Sequence, residues 1–127
     1  LSATETAKKW GIPHVFGDYN YEAMLASGQV DVVHITSPNR HHHVQSLAAL
    51  RAGKHVVCEK PLAMTTTETA ELVEAARQAG KVFAVNYNVR FYPAVLQMRA
   101  MVQRGDLGEI IHVNGSYMQD WLLKVLA

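Results

Sequence analysis

Glu59, Lys60 and Pro61 end an apolar run in the segment HVVCEKPLA, so two opposite charges and a rigid imide follow a stretch that reads as a buried strand. A lysine that is partly desolvated, or set near other cations, lowers its pKa and can serve as a proton donor or acceptor. Pro61 fixes the backbone direction there, and an X-Pro bond is the one place where a cis peptide is cheap. On their own, the same three residues also fit an ordinary turn after a strand. Two neighbours invite other chemistry. His41, His42 and His43 suggest a metal site, but consecutive helix residues point about 100° apart, so three in a row cannot converge on one ion. Cys58 directly precedes Glu59 and could be read as a nucleophile; its place in an apolar strand predicts a buried, inert thiol instead.

The elements that must position these residues alternate along the chain. Ser2 and Glu5 form a capping box opening a helix over SATETAKKW, which Gly11 closes. A short extended piece, HVF, follows, and then a helix over NYEAMLAS, capped by Asn20 and ended by Gly28. DVVHIT has the β-branched, nearly continuous apolar character of a strand covered on both faces. After SPN comes a helical segment, RHHHVQSLAALRAG, and then the strand KHVVC. Thr65 and Glu68 make a second capping box, leading through TETAELVEAARQAG to the strand KVFAV. Strands separated by helices of this length predict βαβ units with right-handed crossovers and a parallel sheet.

The rhythm changes after KVFAV. NYNVRFYP is an aromatic and polar loop, PAVLQMRAMVQRG a helix with Pro93 in its first turn, and EIIHVNGSYMQDWLL a longer run with strand-like character. A domain boundary is therefore expected near residue 88. In an open α/β sheet ligands lie beyond the carboxyl ends of the strands, so SPN, EKP and NYNVRF should gather along one edge. Trp10, Tyr19, Tyr21 and Phe83 read as packing residues rather than as a stacking platform.

Composition narrows the function classes. The 127 residues are 49% hydrophobic and 18% charged, which suits a soluble globule with a real core. Twelve basic against eleven acidic side chains leave little net charge, and no basic cluster interleaves with aromatics, so nucleic acid is not an expected partner. The single cysteine cannot form an internal disulfide, and there is no 18-residue apolar stretch, so a cytoplasmic setting without membrane contact is expected.

Taken in order, VDVVHITSPNRHHH, AGKHVVCEKPLA, NYNVRF and GSYMQDW resemble the Gfo/Idh/MocA family of NAD(P)-dependent oxidoreductases, along essentially the whole chain. AGKHVVCEKPLA is the most specific element. The resemblance implies a Rossmann-type parallel sheet in residues 1–88, lacking its first βα unit, and the start of a C-terminal α+β substrate and oligomerisation domain in residues 89–127. It implies hydride transfer between NAD or NADP and a hydroxyl or carbonyl of a sugar, polyol or related small molecule, in a homo-oligomer. Lys60 takes the place of the family's catalytic lysine, which bonds the reacting hydroxyl and the nicotinamide ribose, with Glu59 and Pro61 beside it. The family's Thr-Pro-Asn-x-x-His loop matches Thr36 or Ser37 with Pro38, Asn39 and His42, which would line the dinucleotide. The usual TPN reads TSPN here, and Ser37 keeps the hydroxyl. His42 is then the one histidine of the three expected to face the ligand, with its neighbours solvated. Asn88, Arg90 and Phe91 match the family's Asn-x-Arg-Phe near the nicotinamide, while Tyr117, Asp120 and Trp121 resemble the start of the substrate wall.

The departures from the family pattern are as informative. The chain contains no G-x-G-x-x-G turn, nor the acidic residue about 20 positions later that grips the ribose. These are expected before Leu1, and the family's Asp-x-x-x-His pair beyond Ala127, so the chain reads as an internal fragment, inactive by itself. In a 3-2-1-4-5-6 strand order HVF would then lack a neighbour and DVVHIT would form an open edge that invites association. A catalytically idle association module is the alternative reading, which fold alone does not exclude.

Overall fold

Both expected capping boxes form. Ser2 accepts from the Glu5 amide while the Glu5 carboxylate accepts from the Ser2 amide, opening helix α1 (Ala3–Trp10). Thr65 and Glu68 do the same for α4 (Thr66–Ala79), which Gly80 ends at φ 61°, a left-handed conformation that costs glycine nothing. Asn20 caps α2 (Tyr21–Ala26) by accepting from the Ala23 amide. The computed structural model describes residues 2–17 and 20–119, and the chain divides into two compact units, Leu1–Tyr87 and Asn88–Ala127.

In the first unit three strands, β1 (Val32–Ile35), β2 (His55–Cys58) and β3 (Phe83–Val85), form a parallel sheet in the order β1-β2-β3. Helix α3 (His42–Arg51) connects β1 to β2, and α4 connects β2 to β3. This is a Rossmann-like arrangement. The register sets Ile35 beside Cys58 and Cys58 beside Val85, so the strands reach their carboxyl ends together. The core is the cluster of Leu25, Ile35, Leu47, Leu50, Val56, Cys58 and Leu72, with Leu72 and Cys58 wholly buried.

Two expectations fail: that β1 is covered on both faces, and that the run from residue 109 is strand-like. Along β1 burial alternates, with Ile35 enclosed and Val32 55% exposed, so among the described residues only one face of this strand is covered rather than both. HVF, which the expected strand order leaves without a neighbour, forms no strand, and the described part of EIIHVNGSYMQDWLL, residues 109–119, forms none either. An extended segment becomes a strand only where a neighbour takes up its N–H and C=O groups. Neither segment has one among the described residues, and Ile111 remains 91% exposed. In the second unit α5 (Pro93–Arg104) starts with Pro93 in its first turn and buries none of its residues fully.

Candidate active site at the strand ends

The ladder continues one residue past each strand end. The Glu59 amide donates to the Ile35 carbonyl at 2.9 Å and the Asn86 amide to the Cys58 carbonyl at 2.8 Å. Thr36, Glu59 and Asn86 therefore occupy equivalent positions along the carboxyl edge of the sheet, each the residue immediately after its strand. The Asn86 side-chain amide donates to a Glu59 carboxylate oxygen, and His34 Nε2 lies 3.9 Å from the same oxygen. Asn86 holds the Glu59 carboxyl below the usual carboxylate range, helped by the Lys60 backbone N–H and the nearby charges of His34 and Lys60, against partial desolvation.

Lys60 follows directly. Its side chain is exposed, and its ammonium group makes no hydrogen bond among the described residues. The Lys60–Pro61 peptide is cis. One residue before Glu59, burial pushes the Cys58 thiol up, while the Ser46 hydroxyl, buried and without an oxygen or nitrogen partner, faces the sulfur and offsets part of that rise. Cys58 is the buried thiol that its strand position predicts.

The loop after β1 forms the other side. Ser37 donates its hydroxyl to Gln45 at 2.6 Å, and Asn39 opens a 3-10 turn, Asn39–His41, that leads into α3. Ser37 and Pro38 line a cavity of about 510 Å³ together with Tyr21, Arg40, His41 and Gln45. Thr36 and Ser37 also border one of about 260 Å³ whose wall includes His34 and Val33.

The three histidines go three ways. His41 is exposed and accepts from the Arg40 Nε at 3.1 Å, and His43 pairs with Glu71 at 2.9 Å, half-buried rather than solvated. His42 is 0% exposed, with Nδ1 2.7 Å from the Pro61 carbonyl and Nε2 2.8 Å from the Ser37 carbonyl. The expectation that it faces a ligand is corrected by this geometry: both ring nitrogens are turned inward and taken by backbone. Whatever the tautomer, one of the two contacts is a donated hydrogen bond, and both are when both nitrogens carry protons.

Of the residues expected from sequence, Thr36, Ser37, Pro38, Asn39, Glu59, Lys60 and Pro61 belong to the strand-end loops of the first unit. Asn88, Arg90 and Tyr117 belong to the second unit, where Asn88 and Arg90 form a 3-10 turn and Tyr117 is exposed. Asp120 and Trp121 lie outside the described residues. Asn86, His34, Arg40 and Gln45 were missed. Counting one residue beyond each strand would have found Asn86, because it stands to β3 as Glu59 stands to β2.

The Gfo/Idh/MocA family model, described as an oxidoreductase family with an NAD-binding Rossmann fold, matches residues 1–87. The chain is similar to D-glucoside 3-dehydrogenase of Escherichia coli K12, at 44% identity over 108 residues, which is 85% of this chain and 30% of that protein. It is similar to 1,5-anhydro-D-fructose reductase of Ensifer adhaerens, at 44% over 110 residues, 81% of this chain and 33% of the relative. Among solved structures, levoglucosan dehydrogenase in complex with NADH and levoglucosan superposes with a TM-score of 0.78 at 33% identity, over 85% of this chain and 29% of that one. The chain spans about a third of the length of the curated relatives it matches.

Proposed function

Since the chain belongs to the Gfo/Idh/MocA oxidoreductase family, with its NAD-binding Rossmann fold, we propose that the complete protein oxidises or reduces a hydroxyl–carbonyl pair on a sugar, polyol or related small molecule with NAD or NADP. Lys60 carries the reading: an exposed ammonium group with no hydrogen-bond partner among the described residues, where β2 ends beside a charged Glu59. The fit to a dinucleotide is partial within this chain. The cavity beside Ser37, Pro38 and Arg40 offers polar and cationic lining at the carboxyl edge of a parallel sheet, as a Rossmann ligand requires, while the glycine-rich turn for the pyrophosphate is not in residues 1–127. A nicotinamide bound at this edge would supply the hydride donor or acceptor.

The residues of the chain supply the rest. In the oxidative direction Lys60 takes the proton of the substrate hydroxyl, and in the reductive direction it returns one to the carbonyl oxygen. Glu59 is a fixed negative charge next to that group. Thr36, Ser37, Pro38 and Asn39 line the dinucleotide from the β1 side. Asn88 and Arg90 serve the nicotinamide end, and Tyr117, Asp120 and Trp121 the substrate side, within a second domain that opens near residue 89. The sugar class rests on the relatives, whose names specify a D-glucoside, 1,5-anhydro-D-fructose and levoglucosan.

The test is turnover of NAD(P)H or NAD(P)+ by the full-length protein with a panel of sugars and polyols. Lys60→Met should lower turnover about 10²-fold or more, the scale of losing a positioned proton-transfer group, with dinucleotide affinity changed much less. Near-wild-type turnover in that variant would remove Lys60 from the chemistry. A second reading, association without catalysis, is favoured by the edge of β1 that is unpaired among the described residues, and a full-length protein without nicotinamide-dependent turnover on any substrate would support it.

A further inference from the structure

His42 is fully enclosed, as Ser46 is, and it touches neither cavity at the strand ends. It is the first residue of α3, and its ring spans two loops: the one after β1, through the Ser37 carbonyl, and the one after β2, through the Pro61 carbonyl. Those loops are the two that carry the residues assigned to dinucleotide and proton transfer. With the ring removed, both carbonyls would lose this buried partner, and among the described residues no other hydrogen bond of either carbonyl joins Pro61 to the β1 loop. Fixing the Pro61 carbonyl fixes the Pro61–Leu62 peptide, one residue past Lys60, and the proline ring, which locks its own φ, carries that constraint back to the peptide that leaves Lys60 and hence to the direction in which the Lys60 side chain departs from the sheet. The Ser37 end is held a second time by the hydroxyl bond to Gln45, itself on α3, so that helix grips the β1 loop at two points and the β2 loop at one.

We infer that His42 is a positioning residue: it ties the β1 loop to the Lys60–Pro61 turn and sets Lys60 against the dinucleotide site without touching the ligand. The inference rests on Lys60 being the proton-transfer group, but its structural half can be tested independently.

The experiment compares His42→Leu, which fills a similar volume and donates nothing, with His42→Gln, whose amide nitrogen carries two N–H donors. Both are made in the full-length protein. In His42→Leu, kcat should fall about 10²-fold, as displacement of a reacting group by about an ångström does, while the dissociation constant for NADH, read by its fluorescence, changes little. His42→Gln should recover a substantial part of kcat. Hydrogen exchange followed by mass spectrometry should show peptides covering residues 36–40 and 59–63 both exchanging faster in His42→Leu, with 66–79 unchanged.

Wild-type kcat together with unchanged exchange in both loops would make His42 a space-filling residue and overturn the inference. A loss of NADH affinity as large as the loss in kcat would overturn it in the other direction, by making His42 a ligand contact. If His42→Leu does not fold, His42→Gln decides on the same readouts: a partial kcat defect at constant NADH affinity supports the tie, and no defect in kcat or exchange refutes it. Absence of turnover in the wild-type protein would defeat the proposed function, and the exchange of the two loops would still establish or refute the tie.

Discussion

Asn86 donating to Glu59 lowers the pKa of the carboxyl beside the exposed Lys60, and it gives the Asn86–Glu59 pair a pH signature. The folded-state pKa of Glu59 is depressed, so its contribution to stability is fully present above the ordinary carboxylate range of about 4.3 and is lost as the pH falls through the lower folded value. Asn86→Ala removes the largest cause of the depression. Melting temperatures followed from neutral into acid should therefore be lower for the variant at neutral pH and approach wild type once Glu59 is protonated in both. A gap that stays constant with pH would assign Asn86 to packing alone. The sequence made the strand-end position of Glu59, Lys60 and Pro61 legible because charge at the end of an apolar strand is anomalous. It left Asn86 obscure, since an asparagine after a strand is common turn chemistry and only the sheet register sets it beside Glu59. His42 was legible as a residue and misjudged in direction: its solvent-facing or buried side depends on how α3 sits on β1 and β2, which helical spacing alone does not fix.

At the scale of elements, helices with two-ended signals were readable, and isolated extended segments were not. Ser2 with Glu5 and Thr65 with Glu68 announce helix starts by local hydrogen bonds that need no tertiary partner, and both form. HVF and residues 109–119 carry strand-like residues, yet a strand is a property of two segments, and no second segment lies beside either among the described residues. The same distinction predicts how stability is divided along α4. Thr65→Ala removes the side-chain half of its capping box, an exposed interaction whose loss costs about 1 kcal/mol. Leu72→Ala opens a cavity at a residue that is 0% exposed in the core, which costs about 2–5 kcal/mol. Denaturant unfolding of the full-length protein should rank the two variants in that order. A cap variant costing as much as the core variant would mean that α4 is held by its end rather than by its seat against α3 and the sheet.

Among the described residues the polar edge of the sheet is well built, and apolar side chains within each unit stay exposed. The parallel order and the gathering of loops at the carboxyl edge followed from helix–strand alternation, whereas the burial of each strand face depends on what lies against it, which a pattern within one segment does not specify. β1 is the outer strand of the sheet, its far edge unpaired among the described residues, with Val32 55% exposed on the open face. Within the second unit Ile111, Val113 and Met118 are each more than four-fifths exposed. An open strand edge presents a row of N–H and C=O groups that another chain can pair with, and exposed apolar side chains add a driving force for the same contact. The 127-residue chain should therefore self-associate, reading as a dimer or larger species in light scattering. Val32→Lys puts a charge on the open face of the edge strand without disturbing Val33 or Ile35, which pack against the core, so it should shift the population towards monomer with little change in the melting transition. Association that persists unchanged in Val32→Lys would move the contact to the second unit's apolar residues, and a wild-type chain that is monomeric and melts cooperatively would show that the open edge of β1 attracts no partner.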